Sequence, residues 1–483
     1  MIEKSCKKEL LKLNIKKLLC ILFAFITVFC AVSCSDDKAT TNEEWDMEGA
    51  DLSYLDYIGI EDMDGYNFRI YARPGSNMIG DQYQEEESGD IINDSVYRRN
   101  ETVKSLFNIE ITAIESSDNK AADAINTILA GDDQYDIILP HSRSAFQYAI
   151  QDTLVNLNEV KTINTTKEWW SKDIVDSANI NGHLYVLDGD ISTHRLEYGF
   201  AMYFNKKIFD ELGLDYPYQA AINGEWTFDA FSKLVKQGAK DLNGDGIMKP
   251  ADDLYGYYSW HAYGPIQVLY SGGQRIYSKN AKGTPVLSLN SSKTVEVFSK
   301  FFQLCNSEDV LLVSAANSPG DLFVEGRAMF ADKGLGSAKQ MRNMNDDFGI
   351  LPWPKYSADD KYCTVINGHA SLLVMPVTVS DYDRSGKIVE ALCAVGNKEV
   401  IPAFYDVSLK TKFSRDYESE QMIDIIRESL VYDIGYISGG VFQGVGESLA
   451  TMSNPDFASH YAANESRALS DLKSFLASYG KIK

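Results

Sequence analysis

Tyr66-Asn67-Phe68-Arg69-Ile70-Tyr71-Ala72 opens the stretch on which the fold turns. Its apolar and polar residues alternate as they do in a half-buried strand. Residues 95–107 follow with Val96, Val103, Leu106 and Phe107 spaced along one helical face. Ile109-Glu110-Ile111-Thr112-Ala113-Ile114 alternates again. Residues 121–130 read as a helix closed by Gly131, and Tyr135-Asp136-Ile137-Ile138-Leu139 as a short apolar strand. Strand, helix, strand, helix, strand predicts an α/β layer with parallel pairing.

The same style continues downstream. Residues 199–204 predict a strand and 206–212 a helix stopped by Gly213. Thr227 can cap the next helix, which places Phe228, Phe231, Leu234 and Val235 on one face. Val295, Phe298, Phe302 and Cys305 mark another amphipathic helix. Residues 348–352 and 370–375 predict strands, and 387–395 and 422–431 helices. There is no repeat and no long internal linker, so the domains share chain segments.

The N-terminus has a different character. Lys4, Lys7, Lys8, Lys12, Lys16 and Lys17 precede an apolar run from Leu18 to Val32. That run is shorter than the ~20 residues a membrane-spanning helix needs. A basic segment, a short apolar core and then small residues predict an export signal over 1–33. Ala31-Val32-Ser33-Cys34 resembles a bacterial lipobox, which makes Cys34 the lipidated first mature residue. Residues 34–65, rich in Asp and Glu, predict a solvated acidic tether. The expected location is outside the cell, lipid-anchored to the outer face of the cytoplasmic membrane or to the periplasmic side of a membrane.

Net charge narrows the partners. With 46 basic and 69 acidic residues the chain stands at -23, so a polyanion would be repelled and nucleic acid is not expected. Of seven cysteines, Cys305, Cys363 and Cys393 lie beyond the signal and lipid site, an odd number that fits no disulfide framework. Motifs of serine hydrolases, P-loop NTPases, dinucleotide enzymes and zincins are absent. The six histidines show no pair at metal-ligand spacing. No catalytic residue is assigned.

Two features carry chemistry. Asp241-Leu242-Asn243-Gly244-Asp245-Gly246-Ile247 through Asp252 matches a calcium loop, with Asp241, Asn243, Asp245, the Ile247 carbonyl and Asp252 as ligands of a structural Ca2+. An Asx-rich turn without metal is the other reading. Aromatic residues make up 12% of the chain, and Tyr and Trp recur in turn-like stretches around Trp169-Trp170, Trp260 and Trp353. Flat apolar faces with a polar edge suit sugar rings as well as cores.

Several ordered patterns together resemble the family 1 extracellular solute-binding proteins, the carbohydrate-binding lipoproteins of ABC importers related to maltose-binding protein. They are Ile128-Leu129-Ala130-Gly131-Asp132 with Tyr135-Asp136-Ile137, then Leu154-Val155-Asn156-Leu157 with Asn181-Gly182-His183-Leu184-Tyr185. Met202-Tyr203-Phe204-Asn205-Lys206-Lys207-Ile208-Phe209 with Glu225-Trp226-Thr227-Phe228 is the most specific. Phe323-Val324-Glu325-Gly326-Arg327-Ala328-Met329 and Leu351-Pro352-Trp353-Pro354 complete the order.

The resemblance implies a two-lobe α/β fold of the periplasmic-binding-protein type, with a hinge and a central ligand cleft. It places lobe 1 at 66–195 plus 346–398 and lobe 2 at 196–345 plus 399–483. It implies a monomer that captures a carbohydrate, an oligosaccharide, without turnover and delivers it to ABC importer permease subunits. The ligand-binding residues it implies are Arg73, Ser76, His141, Arg143, Asp190, Glu197, Tyr198, Trp260, His261, Tyr263, Asp332, Trp353 and His369. A secreted glycosidase, or a sensor or adhesin of the same fold binding peptide or protein, is the alternative.

Overall fold

The computed structural model describes residues 51–341, 343–405 and 417–480. The export signal, Cys34 and the first part of the tether lie outside the described residues.

Two sheets organise the chain. In the first, β1 (Tyr66–Ala72) lies between β2 (Ile109–Glu115) and β3 (Ile137–Leu139), both parallel to it. Phe68 and Ile70 alternate into the core. Helix Ile91–Phe107 connects β1 to β2. Asp90 caps it by accepting from the backbone N–H of Ile92 and Asn93, and Val96, Val103 and Phe107 form its buried face. The stretch 371–376 adds to the sheet through single antiparallel bridges, Ile138 to Val374 and Leu187 to Leu373.

The second sheet is built from β4 (Phe200–Asn205), β5 (Tyr255–Trp260), β8 (Val310–Val313), β9 (Ala328–Gly334) and β10 (Phe348–Leu351). The hairpin β6 (Tyr277–Lys279) and β7 (Pro285–Leu287) stands apart. The strand order is β10-β4-β9-β5-β8. The pairs β5/β8 and β5/β9 are parallel, whereas β4 runs antiparallel to β9 and β10. Every residue of β4 is buried, which explains its unbroken apolar run.

Two expectations change. Residues 346–398 were assigned with the first lobe, but within them β10 pairs with β4 in the second sheet. The antiparallel partner lies far away in sequence, so local pattern could not assign it. The tether was expected to be solvated up to residue 65. Instead a short helix, Ser53–Ile58, buries Leu55 and Ile58. Tyr57 donates its hydroxyl to Glu390, and Glu61 pairs with Lys387 at 2.6 Å. Packed order therefore begins about a dozen residues before β1.

The chain passes from the first sheet to the second between Leu187 and Phe200, and returns between Leu351 and Ser371. Helix Tyr382–Pro402 packs on helix Ile91–Phe107, and helix Tyr417–Glu428 packs on β10. A small parallel pair, β11 (Thr364–Val365) with β12 (Leu430–Val431), lies along these passages. Among the described residues no helix is long and apolar enough to cross a membrane.

Candidate functional site

In parallel sheets, ligand-binding loops gather at the carboxyl ends of the strands. Both sheets obey this rule here. Ser76 and Asn77 follow β1, Lys120 follows β2, and His141 and Arg143 follow β3. Tyr263 follows β5, and Lys339 follows β9. These loops line three adjoining cavities. The largest, about 370 Å³, is bordered by Lys120, His141, Arg143, Tyr263, Asn367, His369, Tyr436, Gln443 and Glu447. A second, about 140 Å³, shares Tyr263, Asn367 and His369 with it and adds Glu197, Tyr198 and Lys339. A third, about 190 Å³, shares Asn77, Glu197 and Lys339 with the second and adds Ser76 and Asp81. Shared walls make one trough of three compartments.

Local chemistry fixes its side chains. Pro140 ends β3, because it has no N–H for a further ladder bond. His141 then caps helix Ser142–Ala149, its Nδ1 accepting from the Arg143 backbone N–H at 3.1 Å. Burial, and then the charges of Arg73, His369, Arg143 and Lys120, push the His141 pKa down to about 3. His369 is lowered by burial and the same three cations. The Asn367 side chain accepts from the His369 backbone N–H at 3.0 Å, and the Asn367 backbone N–H donates to the Tyr198 carbonyl at 2.9 Å. Glu197 is raised by burial, against the opposing pull of Lys339 at 3.6 Å.

Of the residues named from sequence, Ser76, His141, Arg143, Glu197, Tyr198, Tyr263 and His369 border the trough. The others do not. Arg73 lies behind it, donating to the carbonyls of Asn119 at 2.7 Å and His369 at 2.6 Å, so it positions a wall residue. Asp190 is buried and held by Arg195 and Asn397, each at 2.8 Å, within the first passage between the sheets. Asp332 and Trp353 are buried beside the second sheet. Trp353 stands 6.3 Å from Tyr257, ring to ring. Asp332 is wholly buried with neither carboxylate oxygen hydrogen-bonded, and burial raises its pKa to about 7. Trp260 flanks the trough, its ring 6.5 Å from that of Tyr263. His261 borders none of the three cavities, and its backbone N–H donates to Val313 at 2.8 Å. Trp169 and Trp170 face inward, both donating to Glu390.

Sequence reasoning missed Lys120, Asn367, Tyr436, Gln443 and Glu447. Lys120 sits in the loop after β2, at the same sheet end as the loops after β1 and β3. The stretch from Ser438 to Glu447 is dense in glycine, a sign of close backbone approach. Gly446 shows why: a Cβ there would stand 2.5 Å from the Pro265 carbonyl carbon.

The calcium loop is held by its own backbone. Asp241 accepts from Gly244 and Gly246, Asn243 from Asp245, and Asp245 from Ile247. Lys249 pairs with Asp245, and the backbone N–H groups of Leu242 and Lys249 are bound by Asp253. Among the described residues no group of three or more His, Cys, Asp or Glu side chains is gathered to hold a metal ion. An ion on Asp241, Asn243, Asp245, the Ile247 carbonyl and Asp252 would have to displace Lys249. Cys305, Cys363 and Cys393 are free thiols.

No family model matches the sequence, and no curated protein is matched by it. Solved structures do resemble the fold. The GacH receptor of Streptomyces glaucescens, described unliganded and with acarbose, aligns at TM-score 0.56 and 12% identity over 84% of this chain and 99% of that one. UgpB from Mycobacterium tuberculosis, in complex with glycerophosphocholine, aligns at TM-score 0.56 and 15% identity over 86% of this chain and 98% of that one. An ABC substrate-binding protein from Listeria monocytogenes, in complex with cycloalternan, aligns at TM-score 0.50 and 15% identity over 87% and 98%. These are binding proteins, and each covers between 84% and 87% of this chain. With strand ends of two sheets meeting at one trough, this chain has the two-lobe α/β fold of the ABC-importer solute-binding proteins related to maltose-binding protein.

Proposed function

We propose that this protein is an exported lipoprotein, anchored through Cys34, that captures a carbohydrate in the trough and delivers it to the permease subunits of an ABC importer. The carrying observation is the trough itself. Its walls come from the strand ends of both sheets and from the passages between them, as a closing two-lobe binder requires. Tyr198, Tyr263 and Tyr436 offer ring faces to a sugar, and Asn367, Gln443, Glu197 and Glu447 offer hydroxyl partners. Three compartments in a row favour an oligosaccharide over a single ring. Lobe 1 is then 66–195 with the return from about 366 to 398, and the rest of the second sheet with its helices is lobe 2.

Thermal melting of residues 35–483 with mono- and oligosaccharides tests this, with the sugar recovered afterwards. A melting temperature that climbs with sugar concentration, the sugar intact, supports capture, because a ligand bound only by the folded state stabilises it. A cleaved sugar would contradict it and favour a glycosidase.

A further inference from the structure

We propose that the largest compartment selects a negatively charged saccharide, one bearing a carboxylate or phosphate ester on the ring. This rests on the carbohydrate-binding reading and narrows it to a substrate class.

The chain as a whole is strongly acidic, with 69 acidic against 46 basic residues, yet this cavity reverses the balance. Two cations, Lys120 and Arg143, border it with the neutral His141 and His369, against one carboxylate, Glu447. Elsewhere cations find carboxylates: Arg69 with Asp133 and Asp136, Arg195 with Asp190, Lys333 with Asp321. Among the described residues neither Lys120 nor Arg143 has a carboxylate within ion-pair distance. Arg143 Nε is buried and makes no hydrogen bond. A buried charged donor without an acceptor is costly, and an oxyanion would satisfy it. The side chain is also held in place. A Cβ on Gly439, whose φ is +93°, would stand 3.2 Å from Arg143 Cγ and 3.3 Å from Cδ.

Two further features add positive potential. Arg73, directly behind, spends its hydrogen bonds on carbonyls, and the charge of Asp118 reaches it only without an ion pair. Helices Ser142–Ala149 and Gly264–Ser271 both begin at the cavity, with Arg143 and Ile266 of their first turns in its wall. Their N-termini carry partial positive charge. The charge of Glu447 acts on His261 and Tyr436, and it makes no ion pair with the cations. A bare anion would leave most of the 370 Å³ unfilled, since a water takes only about 30 Å³. Tyr263 and Asn367 continue the wall into the next compartment, where further sugar units would lie.

Calorimetric titration of the detergent-solubilised full chain tests the proposal. The probes are digalacturonate against galactobiose, glucose 6-phosphate against glucose, and inorganic phosphate. At least one acidic sugar should bind about tenfold or more tighter than its neutral partner, about 1.4 kcal/mol. Raised salt should weaken the acidic sugar only. K120Q, at an exposed side chain whose loss does not threaten folding, and R143Q should each reduce that preference severalfold, by weakening the acidic sugar more than its neutral partner. Which acidic sugar binds separates carboxylate from phosphate ester. Neutral sugars binding as tightly as acidic ones would overturn the charge selection and leave carbohydrate capture standing. Inorganic phosphate binding as tightly as the acidic sugars would overturn the saccharide part. No binding by any probe at about millimolar concentration would overturn both readings.

Discussion

The imidazole rings of His141 and His369 meet edge to face, 5.2 Å between centres, at the wall of the largest compartment. One follows β3 and the other lies in the return passage between the sheets, so their contact joins a strand end to that passage. Both are held below the ordinary histidine pKa, His141 at about 3. The unfolded chain takes up a proton near 6.5 while folded His141 refuses it. Its contribution to stability is therefore complete above about pH 6.5 and is lost as pH falls towards 3. His141→Asn should reduce the fall in unfolding free energy between pH 7 and pH 5 by about 1–2 kcal/mol, read by urea melts at both pH values.

Asp332 gives the opposite slope. Its folded pKa of about 7 lies above the unfolded value, so the native state holds the extra proton and stability falls as pH rises from about 4 to 7. Asp332→Asn should therefore stabilise the protein at pH 8 by roughly 1–4 kcal/mol, with the gain shrinking towards pH 4. A variant less stable than the parent at pH 8 would show that the carboxylate is needed ionised.

Glu390 is wholly buried and receives both indole N–H groups of Trp169 and Trp170 at 3.0 Å, the Asn164 N–H at 3.0 Å, and the Tyr57 hydroxyl. Removing it strands several buried donors at about 1–3 kcal/mol each. Glu390→Ala should cost roughly 3 kcal/mol or more in denaturant melts, and Glu390→Gln less, because the amide keeps one acceptor.

The segment before β1 makes a separate prediction. A chain beginning at Tyr66 loses the buried Leu55 and Ile58 side chains and should be about 2–4 kcal/mol less stable than one beginning at residue 35. Equal stability would mean that Ser53–Ile58 rests on the body without supporting it.

The loop from Asp241 to Asp252 closes on its own backbone N–H groups and on Lys249. Chelation by EDTA should leave the melting temperature within about 1 °C, under the ~2 °C that 1 kcal/mol gives in a domain of about 250 residues. A larger drop, reversed by calcium, would establish Asp241, Asn243 and Asp245 as ligands.

Much of the fold was legible because its signals are local. The alternation in β1, the buried run of β4 and the Thr227 cap each follow from neighbouring residues. The place of β10 was not, since its partner β4 lies in a distant part of the chain. The site was half legible for a related reason. Loops after strands are identifiable once strands are, and the resemblance pointed to Ser76, His141 and Arg143 within them. Aromatic and acidic residues are ambiguous alone: Trp353 and Tyr263 look alike in sequence, and only packing sends one to the core and the other to the trough. Asp332 misled because a wholly buried, unpaired carboxylate is rare enough that sequence favours a ligand role.

Titration of wild type and Tyr263→Ala with the tightest-binding saccharide, followed by recovery of the sugar, tests the central claim most directly. Tyr263 borders two of the three compartments. The account predicts saturable binding of an intact sugar and an affinity at least about tenfold weaker in Tyr263→Ala, a loss of about 1.4 kcal/mol. Equal affinity in the variant, with its fold unchanged, would contradict binding in this trough.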